Sequence, residues 1–233
     1  MNLSSKIEIK ALGDSAAVVS FTKLKTDEQI IFARSFATQI EKHRLKGIIE
    51  AAAAISSVTI WYDPVEILKN ADPKPICAFE AVKSFLTNIA SNLHIEINSA
   101  HAIHTINVQF LKDGPFSDLK EIEKLTSLCA EEIIAELLST EFEVKMLGFL
   151  PGFAYLGDLP EKLRVPRKTT PRKLVPAGSL AIAECFAGIY PFDSPGGWNI
   201  VGKTGIKMFD IDKNPPTLLK PGDRVKFISS GLF

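Results

Sequence analysis

Residues 148–156 read GFLPGFAYL, and residues 166–179 read PRKTTPRKLVPAGS. Neither stretch has a helical or strand-like period, and proline or glycine recurs every few residues in both. Because proline fixes φ and glycine accepts positive φ, each stretch turns the backbone at defined points. Short apolar runs between such corners predict a closed or nearly closed β-barrel in this part of the chain.

The runs around these corners are the candidate barrel strands. They are Phe142–Leu147, Leu180–Cys185, Trp198–Gly202, Ile206–Phe209 and Val225–Ile228. Upstream, Thr105–Phe110 alternates apolar and polar residues, as a strand with one buried face does. Apolar spacing over Asp118–Leu125 and Ala130–Leu138 predicts two short helices that follow this first strand.

The first hundred residues predict a smaller α+β unit. Its elements, in order, are strands Lys6–Ala11 and Ser15–Phe21, helix Thr26–Arg44, strands Gly47–Ile55 and Ser57–Tyr62, and helix Cys77–Asn92. This order forms an antiparallel or mixed sheet with helices on one face. His94–Asn98 is predicted as one more strand and the polar segment Asn98–His104 as a linker. We therefore predict two domains, residues 1–98 and 99–233.

The composition argues against several classes of function. The 233 residues carry a formal net charge of zero, whereas nucleic-acid and membrane-surface proteins usually show a basic excess. We therefore expect no nucleic-acid and no membrane partner. No stretch approaches the roughly 20 apolar residues that span a bilayer. The first residues, MNLSSKIEIK, lack the apolar core of a secretory signal, so a cytoplasmic location is expected.

Cysteine and histidine give no metal signal. The three cysteines, Cys77, Cys129 and Cys185, are far apart and follow no metal-binding spacing. We expect them to be buried free thiols in a reducing compartment. His101 and His104 are close in sequence but have no cysteine or acidic companions, so no metal site is predicted.

Three rings in GFLPGFAYL are candidate walls of a binding pocket. Gly148 and Gly152 let the backbone turn tightly and expose rings that a regular strand would bury. Phe149, Phe153 and Tyr155 then line an apolar pocket, with the tyrosine hydroxyl as a polar group. The alternative is that these rings plug the end of the barrel.

Two Pro-Arg corners follow, five residues apart. Proline stiffens the chain before Arg167 and Arg172, and a guanidinium held in this way suits bidentate capture of a carboxylate or phosphate. Lys168 and Lys173 make the region locally basic. The alternative is a pair of solvated loop arginines, and the pattern does not say which arginine faces a pocket.

Ser179, Tyr190 and Trp198 complete the candidate substrate-binding set. No histidine follows Ser179 and no Gly-x-Ser-x-Gly elbow surrounds it, so a serine nucleophile is poorly supported. Asp193 is the nearest carboxylate and a candidate acid or base. No catalytic residue is therefore assigned. No phosphate-cradling Gly-x-x-x-x-Gly-Lys-Ser/Thr loop occurs either, so this chain has no ATP motif of its own.

Long ordered motifs now identify a family. The segments GFLPGFAYLGDL, PRKTTPRKLVPAGSLAIA, IYPFDSPGGWNIVGKT and PPTLLKPGDRVKF resemble the signature of allophanate hydrolase subunit 1. That family is also known as the 5-oxoprolinase B subunit family and as the KipI-like sporulation-kinase-inhibitor family. LGDSAAVVSF and SVTIWYDP resemble its N-terminal part, so the resemblance covers nearly the whole chain. Two positions depart from the family: Leu137, where members often have histidine, and the loop Gly114–Leu119.

The resemblance implies a small α+β N-terminal domain followed by an all-β, cyclophilin-like barrel domain. It also implies a component of an ATP-dependent 5-oxoprolinase, which opens 5-oxo-L-proline to L-glutamate. The implied partners are a second allophanate-hydrolase-like subunit and a LamB/YcsF-type subunit, with ATP bound by the complex. Relatives imply two alternatives: inhibition of a sensor histidine kinase, and a subunit role in an allophanate hydrolase or urea amidolyase.

Overall fold

A computed structural model of the protein describes residues 6–72, 74–93, 95 and 101–232. The chain divides into two compact units, Met1–Asn98 and Ser99–Phe233. The strand predicted at His94–Asn98 lies outside the described residues, except for Ile95. The predicted linker is described only from His101, and it ends before His104 because a strand already begins at Ile103.

The described residues of the first unit form one four-stranded sheet and three helices. In chain order they are β1 (Glu8–Ala11), β2 (Ala16–Ser20), α1 (Thr26–Lys42), β3 (Ile48–Ala53), β4 (Ser57–Tyr62), α2 (Pro64–Asn70) and α3 (Ala78–Ser91). The sheet is antiparallel throughout, in the order β1-β2-β4-β3. Every element predicted up to residue 92 is confirmed, with ends that differ by up to two residues.

Helix α2 was not predicted, because Asp63-Pro64 was interpreted only as the end of a strand. In the structure the Asp63 carboxylate accepts hydrogen bonds from the backbone N–H groups of Val65 and Glu66, and Pro64 occupies the first turn. This is the aspartate cap and proline start that favour a helix. The core of the unit lies between the sheet and the helices, where Phe36 of α1 and Val82 of α3 are fully buried.

The second unit contains nine strands and two α-helices among its described residues. They are β5 (Ile103–Phe110), α4 (Leu119–Thr126), α5 (Ala130–Ser139), β6 (Glu141–Leu147), β7 (Ala154–Gly157), β8 (Arg172–Val175), β9 (Ser179–Ala183), β10 (Phe186–Ile189), β11 (Ser194–Gly196), β12 (Asn199–Lys203) and β13 (Arg224–Leu232). Seven of them close a barrel in the order β10-β7-β6-β13-β5-β12-β9. Strands β8 and β11 form a separate two-stranded ribbon.

The predicted barrel is confirmed, with two corrections. Helices α4 and α5 place Ile122 and Leu137 in the barrel core, so the description of this unit as all-β is incomplete. Ile206–Phe209 is not a strand, because its only ladder contact with the part of the chain that the structure describes is an isolated bridge from Phe209 to Thr217. The prolines at 215 and 216 lack the N–H that a longer ladder needs.

Strands β7, β9 and β12 are buried on both faces. In β9, Leu180 and Ile182 belong to a core that receives side chains from all seven barrel strands, whereas Ala181 and Ala183 belong to a second apolar cluster. Successive residues of a strand point to opposite faces. The first core therefore fills the barrel, and the second, which contains Phe153, lies on the outer face.

The cysteines do not match their prediction. They are free, but Cys77 and Cys129 are exposed and Cys185 is only half-buried. The two exposed cysteines directly precede α3 and α5, in segments where Ile76 and Ser127 are exposed as well. No helix in the described ranges is long and apolar enough to cross a membrane.

A glycine lets the outer cluster approach the barrel wall. A Cβ on Gly188 of β10 would lie 2.8 Å from Phe153 Cζ and 3.1 Å from Trp198 Cζ3. Both rings are packed among other side chains and have little room to move. Glycine at this position is therefore required for the close contact of the two rings with the strand.

We predict that Gly188→Ala lowers the free energy of unfolding by about 1–3 kcal/mol, because overpacking forces the rings off their positions. Urea unfolding measures this change. The matched control is Gly205→Ala, since a Cβ there meets nothing within 4 Å. Equal stability of the two variants would contradict the packing described for the outer face.

Candidate functional site

The predicted aromatic residues form one cluster on the outer face of the barrel. Its centre is Phe153, whose ring centroid lies 5.2–5.5 Å from those of Phe149, Tyr155, Tyr190 and Trp198. All four contacts are edge-to-face, the arrangement that the ring quadrupoles favour. The structure adds Phe186, 5.6 Å from Tyr155, which the sequence analysis did not single out.

Only part of this cluster is accessible. Phe153, Tyr190 and Trp198 are buried, Tyr155 and Phe186 are half-buried, and Phe149 is 60% exposed. Phe149 has a φ of 70°, which is rare for a bulky residue. Hydrogen bonds across the turn, from Gly148 N–H to Phe153 O and from Leu150 N–H to Gly148 O, hold it there. The buried rings thus support a surface that Phe149 presents.

Both tyrosines of the cluster stay neutral near physiological pH. Burial raises the pKa of Tyr155, and the positive charge of Arg167 opposes this only in part. Burial also raises the pKa of Tyr190, and this outweighs a hydrogen bond from the Trp198 backbone that lowers it. Each hydroxyl therefore acts as a neutral hydrogen-bonding group rather than as a phenolate.

The loop with the two Pro-Arg corners is fixed to the barrel along its length. Its backbone receives a 2.7 Å hydrogen bond from Glu184 N–H to Val165 O and a 2.9 Å bond from the Asn199 side-chain amide to Pro166 O. The Lys168 N–H donates to Gly197 O at 2.7 Å. An irregular segment tethered at successive residues has little freedom to move.

A buried carboxylate completes this attachment. Asp118 directly precedes α4 and its side chain is 4% exposed. The Arg172 guanidinium donates two hydrogen bonds of 2.7 and 2.8 Å to this carboxylate, and Lys168 Nζ donates a third at 2.9 Å. The Ile200 N–H of β12 donates a fourth bond at 2.7 Å, and the Asp118 N–H returns one to Ile200 O. Lys168 also pairs with Glu121, so two acidic and two basic side chains balance.

This environment keeps Asp118 ionised. Burial would raise its pKa, but the hydrogen bonds from Arg172, Lys168 and the Ile200 backbone outweigh burial and lower it. Burial likewise opposes the charge of Lys168, yet Glu121 and Asp118 raise the pKa of that ammonium group. The cluster is therefore a charged, hydrogen-bonded network at neutral pH.

The two predicted arginines have different surroundings. The guanidinium fork of Arg172 already binds a carboxylate of the chain. Arg167 is 56% exposed and makes a 3.2 Å ion pair with Glu184, which is equally accessible. Its charge lowers the pKa values of both Tyr155 and Tyr190, whereas the charge of Arg172 acts on Tyr190 alone of these two. Arg167, and not Arg172, is thus the arginine available next to the aromatic cluster.

The remaining predicted polar residues have structural contacts. Ser179 is buried, and its hydroxyl donates to Pro176 O at 2.7 Å. The Asp193 carboxylate accepts from the Ala177 N–H. Leu137, one of the two departures from the family pattern named in the sequence analysis, is fully buried in the barrel core. Within the part of the chain that the structure describes, no three histidine, cysteine, aspartate or glutamate residues come together as a metal site would require.

Besides Phe186, sequence reasoning missed Asp118. It lies in the loop Gly114–Leu119, which the sequence analysis noted only as a departure from the motifs of the resembled family. Its partners Lys168 and Arg172 follow 50 and 54 residues later. Asp113, Glu121 and Glu123 lie within five residues of Asp118, so no local signal marked it as the partner of the basic loop.

We predict that Asp118→Asn lowers the free energy of unfolding by about 3–5 kcal/mol, because it leaves Arg172 without its buried counter-charge. Denaturant unfolding measures the loss. The control is Asp113→Asn, which removes an exposed carboxylate paired with Lys120 and should leave stability nearly unchanged. Equal stability of Asp118→Asn and the wild type would mean that the network contributes nothing.

Acid should weaken the wild type more than Asp118→Asn. The pKa of Asp118 is lower in the folded chain than its ordinary value of about 3.9. Its contribution to stability is therefore complete above about pH 4 and is lost as the pH falls towards the lowered pKa. Unfolding measured between neutral pH and the acid limit should show the two free energies converging. Parallel curves would contradict this role of Asp118.

Comparison with known proteins identifies the family of the chain. Residues 7–219 match the family model of the carboxyltransferase domain, subdomain C and D. The 5-oxoprolinase B subunit of Haemophilus influenzae is 48% identical over 97% of this chain and 99% of its own length. The Bacillus subtilis protein of the same name is 36% identical over 97% of this chain and 94% of its own.

One solved structure shows the same fold in a longer protein. The urea amidolyase of Kluyveromyces lactis aligns with a TM-score of 0.78 and 21% identity, over 98% of this chain and 15% of that one. The resemblance predicted from the motifs is confirmed by the family model and by the two relatives. This chain belongs to the carboxyltransferase-domain family, subdomains C and D.

Proposed function

We propose that this protein is the B subunit of an ATP-dependent 5-oxoprolinase, which opens 5-oxo-L-proline to L-glutamate. The observation that carries the proposal is its end-to-end match to two proteins named as 5-oxoprolinase B subunits, covering 94% and 99% of their lengths. A urea amidolyase role fits less well, because this chain corresponds to only 15% of the aligned amidolyase. The name of the relatives implies partner subunits in a complex.

We further propose that the partners are a second allophanate-hydrolase-like subunit and a LamB/YcsF-type subunit. ATP supplies the driving force for opening a stable lactam, and we place its binding in these partners or at a shared interface. The chain has no phosphate-cradling sequence motif. Two cations of its basic loop, Lys168 and Arg172, are already neutralised by Asp118 and Glu121. This loop therefore does not fit a triphosphate.

We infer that the two compact units are separate domains, residues 1–98 and 99–233, and that the barrel is cyclophilin-like. A cytoplasmic location is consistent with a metabolic enzyme that uses ATP. Limited proteolysis that releases a stable fragment starting near residue 99 would support the domain boundary.

We propose that the exposed edge of the aromatic cluster contacts the substrate. 5-Oxoproline has one carboxylate and an otherwise largely apolar ring with a lactam. Arg167 suits the carboxylate, while Phe149 and Tyr155 offer apolar surface and a neutral hydroxyl. The other predicted binding residues then support this exposed edge without contacting the substrate. They are Phe153, Tyr190, Trp198, Arg172 and Ser179.

The proposed activity is tested by reconstitution. ATP hydrolysis and glutamate release that depend on 5-oxoproline are measured for this chain alone, for each pair and for the full set of three proteins. We expect turnover only in the full set. Turnover by this chain alone would overturn its role as one component of a complex.

A complete absence of turnover, with all partners folded and associated, would overturn the proposed function. It would instead favour a regulatory protein that inhibits a sensor histidine kinase, the main alternative from the sequence. Autophosphorylation of such a kinase, measured with and without this protein, is the direct assay for that role.

In the active complex, we predict that Arg167→Ala raises the KM for 5-oxoproline roughly 10- to 100-fold, since a charge-assisted hydrogen bond contributes about 1.5–3 kcal/mol. The Michaelis constant for ATP should stay the same. The matched control is Lys173→Ala, an exposed cation near the same loop. Equal effects of both variants on the KM would mean that Arg167 contributes only its charge to the protein surface and does not contact the substrate.

A further inference from the structure

A groove at the ends of β5 and β12 has no role in the site described above. Its volume is about 370 Å³, and it is lined by Asn107, Gln109, Lys203, Thr204, Gly205 and Ile206. Asn107 and Gln109 alternate along β5 with Ile106, Val108 and Phe110, which are buried in the barrel core. The two amide side chains therefore point away from the barrel, into the groove.

A β-bulge directs Lys203 to the same side. The register of β12 shifts between Ile200 and Gly202, so that Ile200 pairs with Ala181 and Gly202 with Leu180. Residues that pair directly across a ladder point to the same face. Ile200 therefore faces outward with Ala181 of the outer cluster, and Gly202 faces inward with Leu180 of the barrel core. Since Val201 also belongs to the barrel core, two successive residues of β12 face inward.

The bulge determines on which face of the sheet the Lys203 side chain lies, because a shift of one residue moves every following side chain of a strand to the opposite face. With regular alternation Gly202 would face outward and Lys203 would face the core. Gly202 suits the inward position, since a Cβ there would lie 2.7 Å from Val108 Cγ1. The fold therefore places Lys203 outside, where it is exposed and pairs along the ladder with Gln109.

The groove presents hydrogen-bond donors and one positive charge. Among the contacts of the described residues, the side chains of Asn107, Gln109 and Lys203 have no hydrogen bond or ion pair. Thr204 is buried, and its hydroxyl oxygen accepts the Ile206 N–H at 3.2 Å, which leaves the hydroxyl proton free to donate. No carboxylate is among the described residues that line the groove.

We propose that this groove binds a small oxyanion, a carboxylate or a phosphate, with Lys203 as its counter-charge. Ammonium, amide and hydroxyl groups all donate to oxyanions, and without a carboxylate among the described lining residues the charge of Lys203 is uncompensated locally. Half-buried Ile206 offers an apolar wall for the rest of an organic anion. The proposal goes beyond the oxoprolinase assignment and does not depend on it.

The test is a titration of the isotope-labelled full chain followed by NMR, with no turnover required. Sodium phosphate, 5-oxo-L-proline and L-glutamate are added separately at constant ionic strength, with sodium chloride as the blank. We expect saturable shifts in the backbone amides of residues 203–206 and in the side-chain amides of Asn107 and Gln109. Saturation by phosphate alone identifies a phosphoryl ligand, and saturation by the organic acids identifies a carboxylate.

Two lysine variants make the test specific. Lys203→Met should weaken binding at least tenfold, whereas Lys207→Met should not, because Lys207 is an exposed lysine four residues away that already pairs with Asp210. Gln109→Met is a second groove variant, expected to weaken binding several-fold, and it serves if Lys203→Met alters the spectrum of the barrel. Unsaturable shifts with all three anions, or equal losses in the two lysine variants, would overturn the proposal.

Discussion

The position of the loop with the two Pro-Arg corners, residues 166–173, depends on one buried carboxylate, that of Asp118. Asp118 accepts hydrogen bonds from Arg172, Lys168 and the Ile200 backbone, and so joins the start of a helix, an irregular loop and a barrel strand. Placing a carboxylate in a buried position is costly unless it is paired and hydrogen-bonded. Because every partner here is supplied by the loop or the strand, the loop is held in one position.

This interaction also decides which cation is available to a ligand. The loop is locally basic in sequence, but Lys168 and Arg172 already form ion pairs with Asp118 and Glu121. Arg167 lies next to these attachment points, with an exposed glutamate as its partner. A stiff loop that presents one exposed arginine beside a packed aromatic surface suits a small carboxylate better than a polyphosphate, because a single fork binds a single carboxylate.

Local patterns predicted most of the architecture. Pro-Gly corners between apolar runs indicated the barrel, and helical spacing indicated α1, α3, α4 and α5 within two residues at each end. The grouping of Phe149, Phe153, Tyr155, Tyr190 and Trp198 also followed from the sequence, although their burial did not. Burial depends on what packs against a ring from elsewhere in the fold, as Gly188 does for Phe153.

Long-range pairing could not be predicted from the sequence. Nothing local tells Arg172 from Arg167, since each follows a proline and precedes a lysine. The difference comes from Asp118, which lies 54 residues before Arg172. In the same way, the outward direction of Lys203 depends on a bulge, which shows only in the pairing of β12 with β9.

A double-mutant cycle between Asp118 and Arg172 tests whether their ion pair holds the loop. Unfolding free energies are measured for the wild type, Asp118→Asn, Arg172→Gln and the double variant. We predict a coupling energy of about 2–3 kcal/mol, as for residues in one buried hydrogen-bonded network. A coupling near zero, with both single variants folded, would mean that the loop is held by other contacts and that this ion pair does not position it.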